Sequence, residues 1–273
     1  MKLLKILAIL CGLLPFAIAP ATAQTPQEQQ QLGWAVERGR LLFALDRAAW
    51  VATDDMMSRI SNPQGAGLRG YVVDRDAEDG LVVIFYARDG ERLVAVYRAR
   101  VGARGVEDPQ VFTGAQRPEL TPRQARIART LDAVRAGRIT SCGRAVSNVA
   151  IVPPAGDSDP IEAYVTAPQM RPGYIQFGGH ERISFDASGR EIARRPFTRT
   201  CLEVPAPPEE LRRQGAKLGF NHILDPLPTE VHVFLAMAAQ QPIVVMTSDP
   251  DRMWEVTGEA IRFLQNGRPN GAR

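Results

Sequence analysis

The sequence is poor in the residue types that most often carry catalysis. Its 273 residues include three cysteines and three histidines. It contains no His-Glu-x-x-His, no Cys-x-x-Cys, no Gly-x-Ser-x-Gly and no phosphate loop ending in Gly-Lys-Ser/Thr. No enzyme class is therefore indicated by motif, and no cofactor is predicted.

An excess of charge of one sign is also missing. The chain carries 33 Lys and Arg against 30 Asp and Glu, a formal net charge of +3. A nucleic-acid-binding domain normally has a strongly basic balance, so we expect no nucleic-acid partner. Lysine itself is scarce, since Lys217 is the only one after Lys5, a bias typical of GC-rich genomes.

Long apolar runs are absent except at the start. After a short basic stretch, Ile6–Ala19 is apolar, and Ala21-Thr22-Ala23 has the small-x-small pattern of a cleavage site. This pattern predicts a signal peptide over residues 1–23 and a mature chain from Gln24 with no transmembrane segment. The expected location is periplasmic or secreted.

Cleavage would remove Cys11 and leave Cys142 and Cys201 as the cysteines of the mature chain. An exported protein meets an oxidising environment in which two such cysteines pair. We therefore expect one disulfide, which would brace the second half of the chain. An oxidised pair also argues against a cysteine nucleophile.

The first residues of two segments predict the start of a helix. Thr25-Pro26-Gln27-Glu28 and Thr121-Pro122-Arg123-Gln124 are both capping boxes with proline at the first helical position. The helices are predicted to end near Gly39 and Gly137. The likeness of the two starts leaves open whether the chain contains two similar modules.

Short apolar runs bounded by turn residues predict strands elsewhere. The dipeptide Asp89-Gly90 predicts a hairpin with a type I′ turn, which sets Arg88 against Glu91 and is apolar on both faces. Val231–Met237 alternates and favours a strand, with a helix capped by Thr229 as the alternative. The predicted strands are Leu41–Leu45, Ala48–Ala52, Tyr71–Val73, Leu81–Ala87, Arg92–Val101, Val146–Val152, Ile161–Thr166, Tyr174–Phe177, Arg182–Phe185, Glu191–Phe197, Val231–Met237, Ile243–Thr247, Trp254–Val256 and Ile261–Leu264.

The predicted fold is α+β, with antiparallel β meanders packed against a few helices and one disulfide. Residues 102–120 lose periodicity and are predicted to connect the two parts. We therefore predict an N-terminal module over residues 24–118 and a C-terminal, disulfide-bearing module over residues 119–273.

The three histidines define a candidate site. His180, His222 and His232, with the acids Asp225 and Glu230, supply the side chains of a metal or acid/base cluster. Their spacing matches no known zinc pattern, and structural histidines are the competing interpretation.

Other positions also allow two interpretations. Gly178-Gly179 predicts a β-bulge or tight corner, with close approach of a ligand as the alternative. Trp34, Trp50 and Trp254 are interpreted as core or partly buried packing anchors, with sugar-stacking platforms as the alternative.

The second helix carries a cluster of arginines, which is either a solvated face or a surface for an anionic partner. The residues proposed for that surface are Arg123, Arg126, Arg129 and Arg135.

We therefore expect an exported binding or envelope-interaction module without catalytic activity. One alternative is a metal-assisted hydrolase that uses the three histidines. Another is a peripheral protein that binds an anionic membrane surface. The partner is unknown; an envelope component and an anionic surface are both compatible with the sequence.

Overall fold

A computed structural model describes residues 24–76, 78, 80–139, 142, 146–248 and 251–266. The predicted signal peptide lies outside the described residues. The described residues form an α+β fold, as predicted, with four α-helices and fourteen strands. The elements are α1 (Pro26–Arg59), β1 (Leu68–Arg75), β2 (Leu81–Asp89), β3 (Arg92–Gly102), β4 (Gly105–Val111), α2 (Pro122–Ala136), β5 (Asn148–Val152), β6 (Ile161–Thr166), β7 (Tyr174–Gln176), β8 (Glu181–Phe185), β9 (Glu191–Pro196), β10 (Glu203–Pro205), α3 (Glu209–Arg213), β11 (Leu218–His222), α4 (Glu230–Ala238), β12 (Ile243–Thr247), β13 (Arg252–Val256) and β14 (Ile261–Asn266).

The strands form three four-stranded sheets and one two-stranded ribbon. Sheet 1 has the order β1-β2-β3-β4, sheet 2 has β5-β6-β8-β9, and sheet 3 has β11-β12-β13-β14. The ribbon pairs β7 with β10. Pairing is antiparallel except between β11 and β12, which run parallel.

The helices fill the spaces between the sheets. Val83 and Phe85 of β2 join a core with α1, whereas Ile84 and Tyr86 join a core with α2 and one face of sheet 2. The other face of sheet 2 shares a core with α4 and sheet 3. Burying one such side chain contributes about 1.5–3 kcal/mol. The predicted burial of the β2–β3 hairpin on both faces is therefore confirmed.

The predicted register of that hairpin is wrong. Asp89 pairs with Arg92, so the two turn residues are Gly90 and Glu91, and only Gly90 has a positive φ, 60°. A positive φ at the first central residue is the arrangement of a type II′ turn. Arg88 therefore does not face Glu91. The partners shift by two positions next to the turn and by three beyond the irregularity between Phe85 and Tyr86. Tyr97, predicted on the face of Val82 and Ile84, therefore lies on the opposite face, in the core with Val83 and Phe85.

The first helix is longer than predicted, because it does not end at Gly39. It continues to Arg59, and the predicted strands Leu41–Leu45 and Ala48–Ala52 are wrong. The buried residues of this part recur every three to four positions, which is the period of a helix. They are Leu42, Leu45, Ala48, Ala49, Ala52 and Met56.

Two further predictions in the chain are wrong. Val231–Met237 lies in α4, whose residues are buried nearly all round. Such a helix has no polar face, so its sequence shows no helical period. Residues 102–120, predicted as a connector, include β4, an edge strand in which no residue is buried. The predicted boundary at residue 118 stays a prediction, and a duplication of two similar modules is not confirmed.

The parallel pair creates a β-α-β unit in sheet 3. β11 leads through residues 223–229 into α4, and α4 returns the chain to β12. A parallel connection requires such a crossover. The loop 223–229 leaves the carboxyl end of β11, the end of parallel strands at which ligands commonly bind.

The predicted disulfide is present. Cys142 and Cys201 are bonded, with Cα atoms 5.6 Å apart. Gly178 and Gly179 lie directly beside them: a Cβ atom on Gly178 would collide with the Thr200 carbonyl, and one on Gly179 with the Cys142 sulfur. The two glycines thus form the predicted tight corner, at which the chain passes the disulfide.

No helix in the described part of the chain combines the length and the apolar character that crossing a bilayer requires.

The crossing of α1 and α4 predicts opposite effects for two glycines of α1. A Cβ atom on Gly39 would lie 2.5 Å from the Glu230 carbonyl oxygen and 2.5 Å from the Val233 Cβ atom, whereas one on Gly33 meets nothing within 4 Å. We expect Gly39→Ala to lower the free energy of unfolding by about 1–3 kcal/mol through overpacking. Gly33→Ala should raise it by about 0.5–1 kcal/mol through helix propensity. Urea unfolding tests both, and equal effects would contradict the close crossing.

Loss of the disulfide should be costly, since it joins residues 59 positions apart. In the loop-entropy treatment, replacing both Cys142 and Cys201 by alanine lowers the free energy of unfolding by about 4 kcal/mol. Thiol titration of the unreduced, denatured protein from Gln24 onward should detect no free thiol. Detection of two would show that the pair does not form.

Candidate functional site

A cleft of about 720 Å³ lies where the start of α1 meets sheet 2 and the loop after β11. It is open to solvent on one side and ends on the first residue of α4. Its walls combine planar polar groups with an indole ring and a short apolar patch. The lining residues are Gln27, Gln30, Gln31, Trp34, Ala35, Arg182, Arg195, Asp225, Pro226, Leu227, Pro228, Thr229 and Glu230.

The helical wall of the cleft follows from the period of α1. Gln27, Gln30, Gln31 and Trp34 are spaced as one face of a helix, and all four are exposed. Leu32, on another side of the same turns, is buried against Leu227 and Trp254. Packing of that side orients the helix so that its glutamines and Trp34 face the cleft.

Trp254 is fully buried and Trp34, 42% exposed, is partly buried, whereas Trp50 is 66% exposed, so its interpretation as a packing anchor is wrong. Two guanidinium groups lie near the indole of Trp34: the Cζ atom of Arg38 lies 5.3 Å from its ring centroid and that of Arg182 lies 6.0 Å away. These cations fix the indole at the edge of the cleft through cation–π contacts.

Sheet 2 contributes two arginines that stand opposite each other. Arg182 of β8 pairs directly with Arg195 of β9, a juxtaposition that is unfavourable unless acids neutralise it. Three carboxylates do so. The ion pairs run from Arg38–Glu162 (3.2 Å) through Arg182–Glu162 (3.5 Å), Arg182–Glu230 (3.4 Å) and Arg195–Glu230 (3.8 Å) to Arg195–Asp225 (2.7 Å).

Glu230 is the most enclosed member of this network, with 2% of its surface exposed. Besides the two arginines, the Tyr164 hydroxyl donates to its carboxylate at 3.1 Å. Burial, followed by the nearby charge of Glu230, raises the pKa of Tyr164, so the phenol remains a donor. An enclosed carboxylate requires such partners, because an unpaired one is strongly destabilising.

Asp225 stands at the other end of the network and faces the cleft. His222 Nε2 donates to its carboxylate at 2.7 Å, and Arg195 donates at 2.7 Å. Burial raises the pKa of Asp225, but the hydrogen bonds from His222 and Arg195 and the charge of Arg195 outweigh it, so the pKa is lowered overall. Asp225 is therefore an ionised acceptor at neutral pH.

His222 and His232 lie behind this carboxylate and do not line the cleft. Their rings meet edge to face with centroids 4.5 Å apart. His232 Nδ1 accepts from the Thr229 backbone N–H at 2.8 Å, so it closes the first turn of α4. Burial, with the charge of His222 second, lowers the pKa of His232 well below its usual value.

His180 has a structural environment of its own. Its Nδ1 accepts from the Ala167 N–H at 3.1 Å, and its Nε2 donates to the Gln176 carbonyl at 2.9 Å. Both nitrogens are thus engaged by backbone groups. The structure brings Asp225 and Glu230 to one cleft, with His222 behind Asp225. His180 instead bonds to Gln176 of the ribbon strand β7.

Among the described residues, no group of three or more His, Cys, Asp or Glu side chains is placed to hold a metal ion. The candidate metal residues His180, His222, His232, Asp225 and Glu230 instead use their polar atoms in the contacts described above.

The arginines of α2 lie elsewhere, and Arg123, Arg126 and Arg129 line a separate groove of about 500 Å³. Arg123 pairs with Asp74 at 2.9 Å, and Arg126 donates to the carbonyls of Gly156, Asp157 and Asp159. Arg135 donates to the Arg69 carbonyl at 3.1 Å, while Arg129 is exposed. Three of the four proposed anion-binding side chains are therefore committed to contacts within the chain.

Sequence reasoning missed the most informative parts of the cleft. Arg182 and Arg195 lie in predicted strands, but nothing in their sequence context marks them as neighbours. The part of the cleft formed by α1 was easier to predict from the sequence. The capping box predicts the helix, and four of its residues fall on one face: Gln27, Gln30, Gln31 and Trp34.

Comparison with protein families, with characterised proteins and with solved structures finds no significant match for this chain.

The enclosure of His180 predicts a pH dependence of stability. Burial lowers the pKa of His180 to about 4 from 6.5, and the hydrogen bond to Gln176 only partly opposes it. The unfolded ring takes up a proton below about pH 6.5 and the folded ring only near 4. The contribution of the neutral His180 ring to the free energy of unfolding is therefore fully present above about pH 6.5. It falls by an amount on the order of 3 kcal/mol as the pH is lowered towards 4.

Urea unfolding between pH 4 and 7 measures this loss, with His180→Gln as the comparison because glutamine keeps a donor and an acceptor. The variant should show a shallower decline on acidification than the natural protein. Identical slopes would show that His180 does not remain neutral in the fold.

Proposed function

We propose that this chain is an exported, periplasmic binding module without catalytic activity, and that its cleft takes a neutral, hydroxyl-rich ligand such as a short saccharide. The observation that carries the proposal is the exposed indole of Trp34, held beside planar polar side chains that point into one cleft. Export rests on the predicted signal peptide, with which the disulfide is compatible.

The charge of the cleft favours a neutral ligand. Arg182 and Arg195 contribute two positive charges, and Glu230 and Asp225 offset them with two negative ones. An anion or a cation would have to displace one of these partners. A hydroxyl group both donates and accepts, so it can join the edges of the network without breaking an ion pair.

The shape and composition of the cleft support a ring-shaped, polar ligand. Its volume of about 720 Å³ falls in the range of small-molecule sites. The flat indole of Trp34 offers an apolar face to the C–H groups of a sugar ring. Gln27, Gln30 and Gln31 offer amide donors and acceptors along the same wall.

The carboxylates support binding rather than hydrolysis. Glycoside hydrolysis requires a carboxyl group with a raised pKa to protonate the leaving oxygen. The pKa of Asp225 is lowered, and the Glu230 carboxylate is enclosed by Tyr164 and the two arginines. Neither Asp225 nor Glu230 thus has the environment of a proton donor, and both suit a site in which carboxylates accept hydrogen bonds.

The test is a titration of the mature protein with maltose, maltotriose, cellobiose and N,N′-diacetylchitobiose by calorimetry and tryptophan fluorescence. We expect saturable binding of at least one saccharide, weakened about tenfold or more by Trp34→Ala through lost stacking. Trp50→Ala is the matched control, because Trp50 is exposed on the same helix but does not line the cleft.

Absence of binding by all four saccharides would contradict the proposal. So would equal losses in the Trp34 and Trp50 variants. Release of reducing ends from a bound saccharide would replace the binding role by hydrolysis.

A further inference from the structure

A second cavity, of about 550 Å³, lies on another side of sheet 2. It is lined by α1, the start of β5, the end of β6, the strand β7, the segment 206–208 after β10, α3 and α4. It shares no lining residue with the saccharide cleft. A ligand here would therefore bind independently of the proposed function.

An acid without a cation faces this cavity. Asp46 lies in the middle of α1 and lines the cavity wall. Its one described hydrogen bond is long, 3.5 Å from the Asn148 side-chain amide, and no ion pair of the described residues includes it. Burial alone accounts for the raised pKa of Asp46, which fits the absence of a neighbouring positive charge.

Gln176 lines the same cavity but offers no acceptor to a ligand. It is 4% exposed, and its amide nitrogen donates to the Gly178 carbonyl at 2.8 Å. Its side-chain oxygen has almost no accessible surface, so a bound molecule would not reach it. The carboxylate of Asp46 is therefore the group that favours a ligand with N–H donors.

The rest of the lining determines what carries those donors. Ile175, Phe234 and Leu235 give the cavity an apolar wall. A lone carboxylate beside apolar carbon is a poor metal site, because hard cations take six or more oxygen ligands. Arg212, the one cation among the described lining residues, lies exposed at the rim and pairs with Glu209 at 3.6 Å.

We propose that this cavity binds a small organic amine, with the ammonium group against Asp46 and its hydrocarbon chain along Ile175, Phe234 and Leu235. The ammonium supplies three donors and one positive charge, and Asp46 forms no ion pair among the described residues. The apolar wall selects for an alkyl chain over a hydrated inorganic ion.

The experiment uses n-hexylamine as the probe, 1-hexanol as its uncharged counterpart and the mature protein labelled with nitrogen-15. We expect saturable shift changes with n-hexylamine and at least tenfold weaker binding of 1-hexanol. Asp46→Asn should weaken amine binding at least tenfold. Asp54→Asn is the matched control, because it removes the same charge from an exposed position of the same helix that does not line the cavity.

A second variant guards against misfolding of the first. Ala238 is exposed at the cavity mouth, so Ala238→Phe should reduce amine binding by obstruction while the fold is retained. Unchanged amine binding in Asp46→Asn, equal binding of amine and alcohol, or no saturable binding of n-hexylamine would each overturn the proposal. The saccharide titration is a separate measurement, so failure at one site is distinguishable from failure at the other.

Discussion

The enclosed carboxylate of Glu230 imposes the strongest constraint on this part of the molecule. It begins α4, a helix buried nearly all round, and is 2% exposed. Its charge is tolerated only because Arg182, Arg195 and Tyr164 converge on it. Those three side chains come from three neighbouring strands of sheet 2. One ion-pair network therefore sets how α4 docks on sheet 2, and the same network forms the floor of the cleft.

The same contacts resolve a conflict within sheet 2. Arg182 and Arg195 are direct cross-strand partners, and two facing cations repel each other. The acids that neutralise them arrive from β6, from α4 and from the loop after β11. The arginines consequently depend on sheet 3 and α4, just as Glu230 depends on them. This mutual dependence makes the cleft a product of packing between elements that are far apart in sequence.

The long first helix links the two proposed binding sites. Its first turns present Trp34 to the saccharide cleft, and Asp46, three turns later, lines the amine cavity. Between them, Gly39 allows the backbone of α4 to approach closely. The two sites differ in electrostatics: the charges of the cleft pair with one another, whereas Asp46 of the cavity forms no ion pair with any described residue. Different ligand classes follow from that difference.

Local chemistry made much of the fold predictable from the sequence. The capping boxes at Thr25 and Thr121 begin α1 and α2, because the bonds that close a first turn join residues three positions apart. The runs Ile161–Thr166 and Ile243–Thr247 are strands at the predicted bounds. Cys142 and Cys201 pair as expected. The helix starts and the strands depend on residues close together in the sequence, and two cysteines can pair in only one way.

The sequence by itself thus determined the α+β class, the helix starts, several strands and the disulfide. Only the tertiary structure decided that the chain passes through Gly39 as helix, that Val231–Met237 is a buried helix, and that Arg182, Arg195, Asp225 and Glu230 share a cleft. The physical reason is that burial overrides local pattern. A helix enclosed on all sides, such as α4, needs no polar face and so shows no helical period in its sequence. Gly39 lies inside a helix because a larger side chain would collide with α4. Charges separated by tens of residues meet only when the sheets and α4 have packed.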